Sequence, residues 1–149
     1  MINRVFIIAE AGVNHNCDIS CAKAMIDAAA FAGVDAIKFQ TAIPELVVTA
    51  TAEKAQYQKE TTGARESQLE MIRRINLPLT AFPELQSYAQ TRGIIFFSTA
   101  FDLVSLAFLA KLNIPFIKIP SGEITNLPYL KAVANLDKPV ILSTGMATL

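Results

Sequence analysis

Short apolar runs alternate along this chain with segments that have the periodicity of helices. The runs are RVFIIAE at 4–10, VDAIKFQ at 34–40, IIFFST at 94–99, PFIKIP at 115–120 and PVILST at 139–144. Each run is apolar at consecutive positions, which is typical of a parallel strand that is covered on both faces. Because parallel strands need a crossover between them, the pattern predicts a succession of βαβ units.

The segments between the runs carry boundary signals for helices. Between the first two runs, Asp18 or Ser20 can cap a helix and Gly33 can end it. Asp102 can cap a later helix in the same way. That helix is predicted to bury Leu103, Leu106 and Leu109.

The connection between the second and third runs is longer than the others. Residues 44–66 are polar and irregular and predict a loop above the strand ends, whereas SQLEMIRRI at 67–75 and AFPELQSYAQTRG at 81–93 predict two helices. No glycine-rich dinucleotide motif follows the first strand, so the pattern favours a barrel over a Rossmann sheet. A complete barrel takes about 250 residues. The 149 residues here therefore predict an α/β fold with the first five strands of a TIM (β/α)₈ barrel and their helices.

Charge and composition narrow the class of function. Thirteen basic and 13 acidic residues balance, so nothing indicates nucleic acid or an anionic membrane as a partner. The apolar run before Glu10 is too short for a signal peptide or a membrane span, and we expect a cytoplasmic protein. Cys17 and Cys21 match neither a redox nor a zinc spacing and are expected to be free thiols.

Polar side chains recur where the predicted strands end. Lys38 and Lys118 each stand inside an apolar run, which is an unusual place for a cation. In a barrel, the carboxyl ends of all strands meet at one mouth, where barrel enzymes place their chemistry. The side chains expected at this mouth are Glu10, Lys38, Gln40, Ser98, Thr99, Lys118, Ser121, Ser143 and Thr144. Ammonium and hydroxyl groups together suit a small ligand with phosphate and carboxylate groups.

The roles of Glu10, Glu123 and His15 remain open at this point. Glu10 can act as a general base, if burial raises its pKa, or can form a salt bridge with a lysine. Glu123 can orient Lys118 or Lys38 without touching a substrate. His15 is the sole histidine, so by itself it makes no metal site. A hydrogen-bonded loop residue is one interpretation of it, and a functional role stays open.

The motifs taken together resemble the sialic acid synthase family, which comprises N-acetylneuraminate synthases and their legionaminate and pseudaminate relatives. The motifs are IIAEAGVNHN at 7–16, DAIKFQT at 35–41, FFSTAFD at 96–102, FIKIPSGEITN at 116–126 and ILSTGMAT at 141–148. Cys17 stands where this family often has glycine, and Ala100 where it usually has proline. Neither departure removes a site residue.

The resemblance implies a condensation of phosphoenolpyruvate with N-acetylmannosamine or a related amino sugar, with release of phosphate. It implies Glu10 as the catalytic carboxylate. The implied phosphoenolpyruvate contacts, including supporting groups, are Lys38, Gln40, Thr99, Lys118, Ser121, Glu123 and Ser143.

The resemblance also implies features that this chain would not contain. Residues 1–149 would be the N-terminal portion of the synthase barrel, without the rest of the barrel and the C-terminal antifreeze-like domain. A divalent metal, typically manganese, would polarise the sugar aldehyde through histidines outside this chain. We expect a homodimer in this family, and we expect the fragment alone to be inactive.

Two other functions fit the residues. A Schiff-base aldolase could use Lys38 or Lys118 as its nucleophile, since a lysine at a strand end of a barrel suits that chemistry. Alternatively, the half barrel could be a non-catalytic binding or assembly module.

Overall fold

The computed structural model describes residues 4–56, 58, 60 and 66–148, and the described chain alternates strands with helices. The strands are β1 Ile8–Gly12, β2 Ala36–Thr41, β3 Ile95–Ala100, β4 Ile117–Ile119 and β5 Val140–Leu142. Together they form one sheet in the order β1-β2-β3-β4-β5, and every neighbouring pair is parallel. The predicted run of five parallel strands is confirmed.

Helices connect these strands. Within the described residues they include α1 Ile19–Phe31, α2 Pro44–Val47, α3 Gln68–Ile75, α4 Phe82–Thr91, α5 Leu103–Lys111 and α6 Leu127–Ala134. The predicted loop at 44–66 therefore begins with a short helix, and residues 57, 59 and 61–65 of that loop lie outside the described residues.

The predicted caps begin and end the helices as expected. The Asp18 carboxylate accepts from the backbone N–H groups of Ser20 and Cys21 at the start of α1. Gly33, just after α1, has a φ of 72°, which glycine adopts without the steric penalty of a side chain. Asp102 caps α5 by accepting from Ser105 N.

The core lies between the sheet and the helices. Phe96 of β3 is in edge contact with Phe82 of α4, with ring centroids 6.4 Å apart. Phe96 therefore points toward the helices, and its neighbour Phe97 points to the opposite side of the sheet. We call the side of the helices the outer face and the opposite side the inner face. Each large apolar side chain buried in the core contributes about 1.5–3 kcal/mol. Those on the outer face include Ile37, Phe39, Phe96, Ile117 and Ile119.

The structure corrects several expectations about positions. Glu10 lies within β1, and Ser98 and Thr99 lie within β3, because both strands extend beyond the apolar runs. Leu103 is 50% exposed because the first residue of α5 points away from the sheet. The outer side chains of β5, Val140 and Leu142, are 46% and 48% exposed, so this strand is not covered on both faces.

An aromatic cluster covers the amino-terminal part of the inner face. Phe116 lies edge-on to Phe97 and to Phe6, with centroid distances of 5.8 Å in both pairs. Phe97 is fully buried as a result. The inner face is therefore apolar at this end and polar at the carboxyl end of the strands.

Candidate active site

The strand register gathers the predicted polar residues on the inner face. Glu10 of β1 pairs with Lys38 of β2, Gln40 pairs with Thr99 of β3, and Thr99 pairs with Lys118 of β4. Paired residues of neighbouring parallel strands point to the same face, and residues two apart on one strand share that face. All five side chains therefore face the same space, as the sequence predicts for a shared mouth.

Lys38 is the centre of this group. Its side chain is only 10% exposed, and its Nζ lies 2.8 Å from Glu10 Oε2. The same Nζ donates to Thr99 Oγ1 at 3.0 Å. A buried ammonium needs such partners, because an unpaired charge in this position would be strongly destabilising. The ion pair holds Glu10 and Lys38 together across β1 and β2.

Lys118 is the second cation of the group and is less well compensated. Its Nζ donates to the carbonyl oxygen of Ile119 at 2.9 Å. Burial lowers the pKa of Lys118, the nearby charge of Lys38 lowers it further, and Glu10 partly offsets both effects. Two ammonium groups thus share one carboxylate, and the cluster of Glu10, Lys38 and Lys118 keeps a net positive charge.

Gly12 allows Glu10 and Gln40 to approach each other. A side-chain carbon placed on Gly12 would lie 3.2 Å from Glu10 Oε1 and 3.5 Å from Gln40 Nε2. Gly12 also has a φ of 56°, which disfavours residues that have a Cβ. The bare backbone at this position leaves room for both side chains above it.

The turns after β4 and β5 bring the predicted serines to the same end of the sheet. Ser121 begins a short 3₁₀ helix, Ser121–Glu123, and its Oγ would be 3.6 Å from a Cβ placed on Gly145. Ser143 directly follows β5 and donates its backbone N–H to Ile119 O at 3.1 Å. These contacts place the two turns side by side, next to the strand that carries Lys118.

Two predicted side chains have other partners. Glu123 accepts from Asn126 Nδ2 at 2.6 Å, and it is Glu10 that pairs with Lys38. Ser98 faces the helices, where its Oγ shares a hydrogen bond of 2.6 Å with Thr41 Oγ1. Ser98 is therefore not part of the mouth, because it has the opposite orientation to its neighbour Thr99.

His15 supports the loop that follows β1. It is 1% exposed, its Nδ1 accepts from Cys17 N at 3.1 Å, and its ring stacks on Phe39 with centroids 5.9 Å apart. Because Phe39 is on the outer face, His15 lies behind the mouth. Burial lowers the pKa of this imidazole, which therefore favours its neutral form.

A cavity of about 430 Å³ lies beside Gln40 and was not predicted from the sequence. One wall is the face of α3 formed by Gln68, Met71, Ile72 and Ile75, and the cavity is completed by Val13, Gln40, Ala42, Val47, Gln58, Asn76 and Phe101. We call it the α3 cavity. The spacing of its α3 residues is that of one helix face, which in the sequence is indistinguishable from a face that packs on the core.

Two further features of the described residues concern metals and membranes. Among residues 4–56, 58, 60 and 66–148, no three His, Cys, Asp or Glu side chains form a group that could hold a metal ion. Within the same part of the chain, no helix is both long and apolar enough to cross a membrane.

Comparison with known proteins identifies relatives along almost the whole chain. Residues 25–149 match the NeuB family. The chain is 50% identical to the N,N'-diacetyllegionaminic acid synthase of Campylobacter jejuni, over 99% of this chain and 44% of that protein. It is 47% identical to the Legionella pneumophila enzyme of the same name, over 97% of this chain and 40% of that protein. The chain thus spans less than half the length of these relatives.

A solved structure shows the same fold. The N-acetylneuraminic acid synthetase of Leptospira borgpetersenii, crystallised in complex with citrate, superposes with a TM-score of 0.81 at 35% identity. The superposition covers 98% of this chain and 46% of that one. The five strands and their helices thus correspond to a part of that barrel enzyme.

Proposed function

Because this chain belongs to the NeuB family, we propose that it forms one side of an active site that condenses phosphoenolpyruvate with N-acetylmannosamine or a related amino sugar. In this reaction the enol carbon of phosphoenolpyruvate bonds to the aldehyde carbon of the sugar. Water adds to the carbon that carries the phosphate, and phosphate leaves. The relatives described above are named as synthases of sugar acids, and the proposal extends that chemistry to this chain.

The observation that carries the proposal is the uncompensated positive charge at the mouth. Lys38 and Lys118 face the same space, and Glu10 is the carboxylate that pairs with Lys38. Phosphoenolpyruvate has a phosphate and a carboxylate group, so it supplies the negative charges that this cluster lacks. Ammonium groups bind such anions as point charges, and hydroxyl groups add directed hydrogen bonds.

Each residue has a role in the proposal. Lys38 and Lys118 hold the anionic groups of phosphoenolpyruvate, and Thr99 keeps the Lys38 ammonium in place through its hydroxyl oxygen. Ser121 and Ser143 lie in the turns next to Lys118 and donate to the same ligand. Glu10 accepts a proton from the water that adds to the phosphate-bearing carbon.

Three supporting parts complete the proposal. Gln40 faces the sugar, and Glu123 supports the turn that carries Ser121 through its bond to Asn126. The described residues offer no set of ligands for the divalent metal that the resemblance implies. The roles above therefore use no metal, and we propose that the isolated chain binds phosphoenolpyruvate without turning it over.

Binding of phosphoenolpyruvate tests the proposal. Calorimetric titration should show binding to the chain, and Lys38→Met or Lys118→Met should each weaken it about tenfold or more, because each removes a charge-assisted contact. Lys111→Met is the matched control, since Lys111 is an exposed lysine at the end of α5. Equal effects of the three substitutions, or no binding at all, would refute the shared anion site.

One observation favours a second candidate, the Schiff-base aldolase. The lowered pKa of Lys118 would increase the fraction of neutral amine that can attack a carbonyl. Treatment with pyruvate and borohydride, followed by mass spectrometry, would leave a reduced adduct on Lys118 of an aldolase. A chain that remains unlabelled under these conditions supports the condensation.

A further inference from the structure

We propose that Tyr129 is a positioning residue of the mouth, because its hydroxyl group joins the end of β3 to the chain that follows β4 and so sets the spacing between Thr99 and Lys118. The inference rests on the proposed function, since Thr99 and Lys118 belong to the proposed phosphoenolpyruvate site. Tyr129 is 1% exposed and belongs to the core. It therefore acts through these two residues and not by touching a ligand.

The sheet by itself holds the spacing between β3 and β4 only weakly. β2 and β3 are paired along all six residues of each strand. Among the described residues, by contrast, β3 and β4 pair only at Thr99 with Lys118. Pro120 follows β4 and has no backbone N–H with which to continue the ladder. The register therefore fixes Lys38 relative to Thr99 more firmly than it fixes Lys118.

A hydroxyl group makes a further connection just beyond this pair. Tyr129 Oη donates to the carbonyl oxygen of Ala100 at 2.9 Å, and Ala100 directly follows Thr99. Tyr129 is the third residue of α6, the helix that the chain enters after β4 and the Ser121–Glu123 turn. Because the bond is buried, its loss would leave a carbonyl oxygen without this donor and out of reach of bulk water.

Tyr129 is itself fixed to the turn after β4. Its backbone N–H donates to Asn126 Oδ1 at 3.2 Å, and Asn126 Nδ2 donates to Glu123 Oε2 at 2.6 Å. Burial raises the pKa of Tyr129, and the nearby charges of Glu123 and Asp102 raise it further. The hydroxyl group therefore keeps the proton that it donates. The start of α6, the turn that carries Ser121 and the end of β3 are thus connected through one side chain.

This connection matters for a ligand that spans the mouth. Phosphoenolpyruvate is a compact molecule whose phosphate and carboxylate groups lie at a nearly fixed separation. Its affinity therefore depends on how far apart the ammonium groups of Lys38 and Lys118 are held before it binds. Without the Tyr129 hydroxyl, β4 and its turn can move away from β3, and the two ammonium groups lose their preset spacing.

Calorimetric titration of the 149-residue chain with phosphoenolpyruvate tests the inference. Tyr129→Phe removes one hydroxyl group, keeps the ring and should weaken binding about threefold to tenfold. Tyr88→Phe is the matched control, because its hydroxyl group donates to Asp27 and accepts from Arg92 between α1 and α4. This control should bind as the native chain does. Equal affinities of the native chain and Tyr129→Phe would overturn the inference.

A second control separates positioning from stability. Val133 is buried on the same helix, so Val133→Ala loses packing while the Tyr129 hydroxyl group stays in place. Val133→Ala should lower the Tm by an amount similar to that of Tyr129→Phe and leave the affinity for phosphoenolpyruvate unchanged. An equal loss of affinity in the two variants would show that Tyr129 only stabilises α6, and the positioning role would be rejected.

The titration of Lys118 without any ligand distinguishes this inference from the proposed function. Lys118 faces Lys38 and Glu10 across the mouth, and its protonation can be followed by NMR of lysines labelled with ¹³C at Cε. Tyr129→Phe should raise the pKa of Lys118, which becomes more exposed and lies further from Lys38. An unchanged pKa in this variant would reject the positioning role, even where the native chain binds phosphoenolpyruvate. A raised pKa in a chain whose native form binds no phosphoenolpyruvate would support the positioning role and reject the proposed function.

Discussion

The charge of Lys118 depends on its surroundings. Its pKa is lowered by burial and by Lys38, so it loses its proton at a lower pH than an exposed lysine does. A bound anion would favour the charged form and raise that pKa again. Binding of an anion is therefore coupled to protonation of this one group.

This coupling predicts the pH dependence of anion binding. Lys118 loses its proton at a lower pH in the free chain than in the anion-bound chain. The affinity for phosphoenolpyruvate should therefore fall as pH rises through the lowered pKa of the free chain, by up to about tenfold per pH unit. Lys118→Arg keeps its charge over this range and should show a flatter profile. Calorimetric titrations between pH 7 and pH 10 would measure both, and parallel profiles would argue against Lys118 as the group responsible.

His15 predicts a second pH effect, this time on stability. Burial lowers its pKa in the folded chain, so below about 6.5 the unfolded chain binds more protons than the folded chain. Stability should therefore decrease as pH falls from 7.5 to 5.5, at no more than about 1.4 kcal/mol per pH unit, which is the limit for one proton. The carboxyl groups of Glu45, Glu66 and Glu70 have pKa values lowered by their hydrogen bonds and titrate below this window.

Thermal unfolding at the two pH values measures the effect of His15. His15→Asn keeps an acceptor near the backbone N–H of Cys17 but does not titrate, so it should remove most of the decrease. A variant that loses the same stability as the native chain between pH 7.5 and pH 5.5 would show that another group is responsible.

At the scale of elements, Asp102 connects two loops as well as capping a helix. One carboxylate oxygen accepts from Ser105 N at 2.7 Å. The other accepts from Ser105 Oγ at 2.6 Å and from Ile43 N at 2.9 Å. Ile43 directly precedes α2, so this carboxylate joins the start of α5 to the chain that leaves β2.

Removal of this connection should destabilise the fold more than removal of an ordinary cap. Asp102→Ala leaves buried donors without an acceptor, and we expect a loss of about 2–3 kcal/mol. Asp18→Ala removes an exposed cap with two backbone partners and should cost about 1 kcal/mol. Urea unfolding of both variants gives the comparison, and equal losses would mean that the contact with Ile43 contributes nothing.

The sequence predicts where the strands lie better than it predicts which of their side chains point to the inner or the outer face. Runs that are apolar at every position indicate buried strands, but they carry no alternation that separates an inner side chain from an outer one. The run PFIKIP does not show whether Ile117 and Ile119 point inward or outward, and both lie on the outer face because Lys118 between them occupies the inner one. The lysines themselves were the informative signal, since a cation inside such a run must face the mouth.

The sequence predicts the part of the candidate site that is formed by residues on the strands. Glu10, Lys38, Thr99 and Lys118 come together through strand register alone, which follows from parallel pairing. The partner of Glu123 and the α3 cavity depend on how the turn after β4 and the helix α3 pack. Such tertiary packing has no local sequence signal.

At the scale of the whole molecule, both edge strands of the described sheet lack a neighbouring strand, and part of the outer face is exposed. β1 and β5 are the edges of the described sheet. Val140 and Leu142 on β5 are about half exposed, as are Phe6 and Ile7 before β1. Unpaired strand edges and adjoining apolar surface favour association with another chain.

We therefore expect the chain to self-associate, most simply as a two-fold homodimer. Size-exclusion chromatography with light scattering should give a mass above 16.2 kDa that falls with dilution. Leu142→Gln should shift the equilibrium toward the monomer, whereas Leu103→Gln, at a similarly exposed leucine on α5, should not. A monomeric native chain that binds no hydrophobic dye would refute the expectation.

The agreement between strand order and chain order also has a consequence for synthesis. Each strand pairs with the strand made just before it, so no pairing has to wait for a distant segment to emerge from the ribosome. The sheet can grow at a single edge, one βα unit at a time, while translation continues. The Glu10–Lys38 ion pair needs only β1 and β2, and it can therefore form in the nascent chain before Lys118 has been translated.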